Sequence, residues 1–138
     1  MSLEPSLPFE FLVRGIALSA QASSRSKDTW KQAIRAAAAS ALPDGYWLLT
    51  EPLTVTIFIF PRAALLGDVD NRVKPILDAM NRRVYEDDEL IERVVVQKFE
   101  PGGARAFRKP SETLQSALEA DEPLVYIRIS DDLDEGLP

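Results

Sequence analysis

The sequence predicts a compact α+β domain, a mixed sheet with helices packed mainly on one face. Three observations carry that expectation. β-Branched and aromatic runs, densest at Leu53–Phe60 and at Val94-Val95-Val96, alternate with helix-patterned segments along the chain. Val73, Ile76, Leu77 and Met80 recur at i, i+3, i+4 and i+7, the stripe of a helix with one buried face. And 138 residues, 46% of them hydrophobic, suffice to bury one core.

The elements follow in order. Phe9–Leu18 reads as a first strand and Ser19–Ser26 as a polar loop. Lys27–Leu42 is Ala-rich and helical, with Asp28 near its start and Pro43-Asp44-Gly45 stopping it. Leu53–Phe60 is a buried strand. Asn71–Arg82 is the second helix, with Asp70 or Asn71 available to cap its first turn. Pro75 lacks an N–H, so either that first turn is irregular or the regular helix begins at Pro75. Arg93–Glu100 is the third strand, Pro101–Lys109 a basic Gly-containing loop and Ser111–Ala120 a short helix. Leu124–Ser130 closes the domain, alternating Val125, Ile127 and Ile129 against Tyr126 and Arg128. At least one antiparallel pair is expected among the later strands. Residues 1–130 thus form one domain, and 131–138 read as an acidic disordered tail.

Two absences narrow the chemistry. Without Cys there is no disulfide framework, zinc–thiolate site or thiol nucleophile. Without His there is no Ser-His-Asp triad, no HExxH site and no imidazole base. Acid–base or metal chemistry falls to carboxylates, Lys, Tyr or water. No apolar run approaches the roughly 18 residues of a membrane span, and Met1–Pro5 lacks the basic and apolar regions of a signal peptide. A cytoplasmic protein with no membrane contact and no organic cofactor is the expectation.

The net charge of −6 is unevenly spread. From residue 119 onward seven acids face Arg128 alone, and the preceding residues balance 15 basic against 15 acidic side chains. Global charge therefore says little against an anionic partner.

The densest functional signal is Gly67-Asp68-Val69-Asp70-Asn71-Arg72-Val73-Lys74, followed by Asp78 and then by Glu86-Asp87-Asp88-Glu89. Asp68 and Asp70 share one side if that segment is extended. Beyond them Asp70, Lys74, Asp78 and Asn81 form a polar stripe beside the apolar one. Carboxylates 4 Å apart repel by roughly 4 kcal/mol at an effective dielectric near 20. A hard divalent cation with oxygen ligands is the usual offset, so the segments read as a magnesium-type site. Each motif has a structural reading too: Lys74–Asp78 as an i,i+4 pair, Asp68 and Asp70 as turn or capping residues, Glu86–Glu89 as a solvated run. Their gathering around one short helix favours a site. An EF-hand is excluded, because its sixth and twelfth positions counted from Asp68 are Val73 and Ala79.

Asp68-Val69-Asp70-Asn71, Lys74, Asp78-Ala79-Met80-Asn81 and Val84-Tyr85-Glu86-Asp87-Asp88 resemble the signature of the RusA family of Holliday junction resolvases. The resemblance implies a Mg²⁺-dependent endodeoxyribonuclease (with Mn²⁺ as a possible substitute) that acts on branched DNA as a homodimer. It further implies Asp68, Asp70 and Asp88 as metal-binding catalytic carboxylates and Lys74 as the catalytic lysine. Asn71, Asp78 and Asp87 would support them from behind. Neighbouring carboxylates should keep Lys74 protonated, which suits an electrostatic role. Phosphate-backbone contacts are expected from Arg25, Lys27, Lys31 and Arg35 on the first helix, and from Arg105, Arg108 and Lys109 around Phe107. Leu65 and Leu66, just before the motif, are candidates to insert between bases or to pack at a dimer interface. The alternatives are a non-catalytic DNA-binding or interaction protein that keeps the fold, and a related nuclease acting on flaps, single strands or RNA.

Overall fold

The computed structural model describes residues 5–65, 67–101 and 107–135. Seven elements alternate as expected: β1 (Phe9–Arg14), α1 (Ser24–Ala41), β2 (Leu53–Phe60), α2 (Val73–Met80), β3 (Ile91–Lys98), α3 (Glu112–Glu119) and β4 (Leu124–Ser130). The sheet order is β1-β4-β2-β3. β4 runs antiparallel to both β1 and β2, whereas β2 and β3 are parallel neighbours joined through α2. Ile57 lies opposite Ile127 on one side and Val96 on the other.

Side chains alternate across each strand, and the sheet buries both faces. Phe9, Phe11, Val13, Val55, Ile57, Ile59, Val125, Ile127 and Ile129 share the larger core with Trp30, Ile34 and Ala38 of α1 and Ile76, Ala79 and Met80 of α2. On the reverse face Phe60, Leu124 and Tyr126 pack with Phe99 and with Leu114 and Ala117 of α3. The helices are therefore divided two and one, mainly on one face as expected, with α3 covering part of the other. Tyr126 shows the effect of that third helix. It alternates outward from Val125 and Ile127, yet it is 2% exposed because α3 covers it.

Local chemistry sets the boundaries that pattern alone misplaces. α1 starts at Ser24, three residues early, because the Ser23 hydroxyl accepts the Ser26 N–H at 3.1 Å. β1 stops at Arg14, short of Leu18. Gly15 turns away there at φ 125°, donates its N–H to Pro123, and leaves only 3.2 Å between a hypothetical Cβ and the Trp30 ring. The second helix has the irregular start that Pro75 suggested. A 3₁₀ turn at Asp70–Arg72 precedes α2, and Pro75 falls among the first residues, whose N–H groups have no intrahelical partner. Residues 131–135 belonged to the expected disordered tail, but they fold back on the sheet. Thr54 Oγ1 donates to the Asp132 carbonyl at 3.3 Å, and Arg128 pairs with Glu135.

Candidate active site around the second helix

The Asp68–Lys74 segment is clamped by its backbone and by its neighbours. Upstream, Arg62 sits at φ 62° with its guanidinium donating to the Ala117 and Glu122 carbonyls and lying 5.4 Å from the Phe60 ring centre. Leu65 donates its N–H to Glu100 Oε2 at 2.7 Å, the main reason the Glu100 carboxyl is held below its ordinary range, with Lys98 adding to it. The Leu65 side chain is buried in the main core. It is therefore not available to enter DNA or a dimer interface; Leu66 lies outside the described residues. From the other side, Arg72 donates to the Ala17 carbonyl at 2.6 Å, and Ala20 donates its N–H to the Asn71 carbonyl at 2.8 Å. The loop between β1 and α1 thus grips the motif.

On this rigid base the charged tips are left open. Asp68, Asp70, Lys74 and Asp88 are all exposed. Neither Asp70 nor Asn71 caps a helix, since no side chain bonds at the start of the 3₁₀ turn or of α2. That is a correction to their expected capping role. Lys74 Nζ stands 3.3 Å from Asp78 Oδ1, with side-chain exposures of 74% and 31%. The i,i+4 pair is real, but such an exposed pair is worth only a few tenths of a kcal/mol, so little holds the ammonium there.

Tyr85 links the helix to the downstream acids, a role the sequence did not reveal. It is fully buried, and its hydroxyl donates to the Leu77 carbonyl at 2.7 Å near the end of α2. Burial foremost, then the charges of Asp88 and Asp78, raise its pKa well above the ordinary phenol value. Both carboxylates therefore bear on the same hydroxyl. The two halves of the motif are neighbours around Tyr85.

Asp87 and Asp88 differ in what they do. Asp87 Oδ1 accepts the Glu89 N–H at 3.0 Å and caps a 3₁₀ turn at Asp88–Leu90. That N–H, followed by the contact with Asp88, holds the Asp87 carboxyl below its ordinary range. Asp88 makes no such cap and stays open to water. Beside the turn lies a cavity of about 280 Å³ lined by Arg82, Glu86, Asp87, Glu89 and Leu90. Arg82 itself is held at φ 62°, a left-handed conformation that costs a side chain about 1 kcal/mol. As a donor set, exposed carboxylates of this kind suit a hard cation. Among the described residues, no three acidic side chains are gathered so as to hold a metal ion.

The expected DNA-binding cations are in two places. On α1, Arg25 is exposed and Lys31 half-buried, while two others are partly committed to the fold. Lys27 Nζ donates to the Ala20 carbonyl at 3.1 Å, and Arg35 Nε donates to the Ala79 carbonyl at 3.0 Å. Arg108 and Lys109 border a cleft on the reverse face of the sheet. Arg105 lies outside the described residues.

The order of elements and the motif on α2 agree with a comparison of the sequence against family models. The model for endodeoxyribonuclease RusA matches residues 20–107, well over half of the chain. The chain belongs to the RusA endodeoxyribonuclease family. The match runs from the loop that grips the motif, through α1, β2, α2 and β3, to the edge of the reverse-face cleft. No curated protein matches the chain. Membership implies an endonuclease acting on DNA junctions. Among the described residues no helix is long and apolar enough to cross a membrane.

Proposed function

We propose that this RusA-family chain is a divalent-metal-dependent endonuclease that cuts phosphodiester bonds at branched DNA, working in the cytoplasm as a homodimer. The observation that carries the reading is the sharp division of labour around α2. Backbone groups, Arg72 and Tyr85 hold the segment, while Asp68, Asp70, Lys74 and Asp88 are left exposed. Charges presented on a rigid base with little folding role suit a ligand of opposite sign.

Asp68, Asp70 and Asp88 would hold the cation, with Mg²⁺ the first choice and Mn²⁺ a substitute. When bound, the ion supplies Lewis-acid polarisation of the phosphate and a water of lowered pKa. The chain's own residues do the rest. Lys74, loosely paired with Asp78, can turn its ammonium toward charge developing on the phosphate oxygens. Asp78 and Asp88 both bear on the buried Tyr85 hydroxyl, which fixes the end of α2 against the acidic turn. Asp87 is spent on its cap, so it orients the turn that carries Asp88. Asn71 anchors the motif through its carbonyl. Self-association has a candidate surface in β3, an edge strand whose Val94 is 39% exposed.

The decisive experiment is cleavage of a synthetic four-way junction with Mg²⁺ or Mn²⁺, beside duplex, flap and single-stranded controls. Paired nicks near the branch point, abolished in Asp70→Asn while junction binding is kept or tightened, are expected. Cutting by Asp70→Asn at the wild-type rate would remove the site assignment. Binding without cutting by the wild-type chain would favour a binding protein that keeps the fold.

A further inference from the structure

The reverse face of the sheet carries a second charged region that the α2 site does not use. A cleft of about 520 Å³ opens there. Its floor is aromatic: the half-buried rings of Phe58 and Phe107 lie 5.7 Å apart, and Phe58 is backed by the buried Tyr126 ring at 5.5 Å. Four cations line it, Arg93, Arg108, Lys109 and Arg128. Arg108 and Lys109 are exposed and carry no ion pair among the described residues.

Among the described residues, only two carboxylates line the same cleft. Glu10 is consumed within the wall, accepting from Ser111 Oγ at 2.6 Å and from the Tyr126 hydroxyl. Glu135 arrives from the folded-back C-terminal segment. Its carboxylate pairs with Arg128, and its backbone carbonyl accepts from Arg93. One guanidinium on an anionic oxygen, with a second on an oxygen nearby, is the donor pattern that a phosphodiester meets in nucleic-acid sites. Cations that track a backbone beside aromatic faces that receive bases are the general design of single-strand binding grooves.

We propose that this cleft binds a single-stranded stretch of nucleic acid and that Glu135 is its built-in competitor, seated where a phosphate would lie. The proposal rests on the reading of the chain as a DNA-acting protein, but it uses the sheet face opposite α2. An incoming strand displaces Glu135 and frees Arg93 and Arg128 together. Affinity is therefore reduced by the fraction of molecules in which the segment is seated.

The test is fluorescence anisotropy of a labelled oligothymidylate about twelve nucleotides long, within the usual reach of such grooves, with the full chain, excess chelator and low salt. Glu135→Gln and Glu135→Ala are expected to tighten binding about three- to tenfold, as a seated competitor is removed. Asp121→Asn removes the same charge from an exposed loop away from the cleft and should leave affinity nearly unchanged. Arg93→Gln, and separately the exposed pair Arg108→Ala with Lys109→Ala, should weaken binding. Each should also flatten its salt dependence by about 0.7 in logarithmic slope for every phosphate it no longer neutralises. Equal affinities for Glu135→Gln and Asp121→Asn would overturn the proposal, as would unchanged binding by the Arg108/Lys109 variant, whose exposed side chains leave the fold intact. Glu135 variants that bind an added peptide of the 131–135 sequence but gain nothing for the oligonucleotide would also overturn it, assigning the cleft to acidic protein segments. No metal or cleavage enters the readout. A chain inactive on junctions can therefore still pass, and an active nuclease can still fail.

Discussion

The two charged regions of this molecule are built on opposite rules. Around α2, the side chains of Asp68, Asp70 and Asp88 point into water, and the bonds that hold the segment come from carbonyls, amides and Arg72. On the reverse face the charged groups hold one another: Ser111 and Tyr126 with Glu10, Arg128 with Glu135. An exposed charge without a partner adds almost nothing to stability, whereas a partly buried polar network contributes to it and is costly to break. The contrast separates charges that start free in water from charges that any ligand would first have to detach from one another.

The largest effects expected from this contrast are catalytic. Asp70→Asn and Lys74→Met should each lower junction cleavage by about a hundredfold or more, as removal of one transition-state interaction does. Thermal unfolding should move by less than about 0.5 kcal/mol, since both sites are exposed. A stability loss comparable to the activity loss would erase the distinction between the two regions. Next, Tyr126→Phe leaves Glu10 with one partner fewer in a half-buried wall and should cost about 1–2 kcal/mol in urea unfolding. Activity per folded molecule should be unchanged. Tyr85→Phe joins both behaviours: the Leu77 carbonyl loses its donor, costing about 1 kcal/mol, and cleavage should fall modestly as the acidic turn loosens against α2. The smallest effect is a gain. Arg82→Gly relieves a left-handed side chain and should stabilise the fold by up to about 1 kcal/mol in urea unfolding.

Much of this organisation was legible in the sequence because it is local. Strand β4 coincides with its expected bounds, as does β2, since short runs rich in β-branched and aromatic residues such as Val55-Thr56-Ile57-Phe58 favour a buried strand over a helix. The irregular opening of α2 was one of the two readings that Pro75 left open. The nuclease family was recognisable from Asp68, Asp70, Lys74 and Asp88 and their spacing. What stayed hidden depends on partners distant in the chain. α3 reaches the reverse face because Phe60, Phe99 and Tyr126, from three separate segments, form one apolar patch there. Leu65 looked like a free wedge, but its side chain is buried in the main core and its backbone is held by Glu100, 35 residues away. Lys27 and Arg35 read as phosphate-binding groups, although part of each is spent on the carbonyls of Ala20 and Ala79. Tyr85 gave no signal of its own, because a buried phenol and a surface one have the same letter.

The sheet order also constrains how the protein comes into being. β4 is the last of the four strands in the chain, yet it sits in the interior, hydrogen-bonded to β1 on one flank and to β2 on the other. Until it inserts, β1 has no neighbour and the crossover around α2 rests on half a sheet. Pairing residues 9–14 with 124–130 is a closure between segments far apart in sequence, a kind of contact that slows folding. A chain without β4 would thus carry every acidic residue of the motif without the completed sheet behind them, because that sheet closes only once residues 124–130 have paired with 9–14 and 54–60.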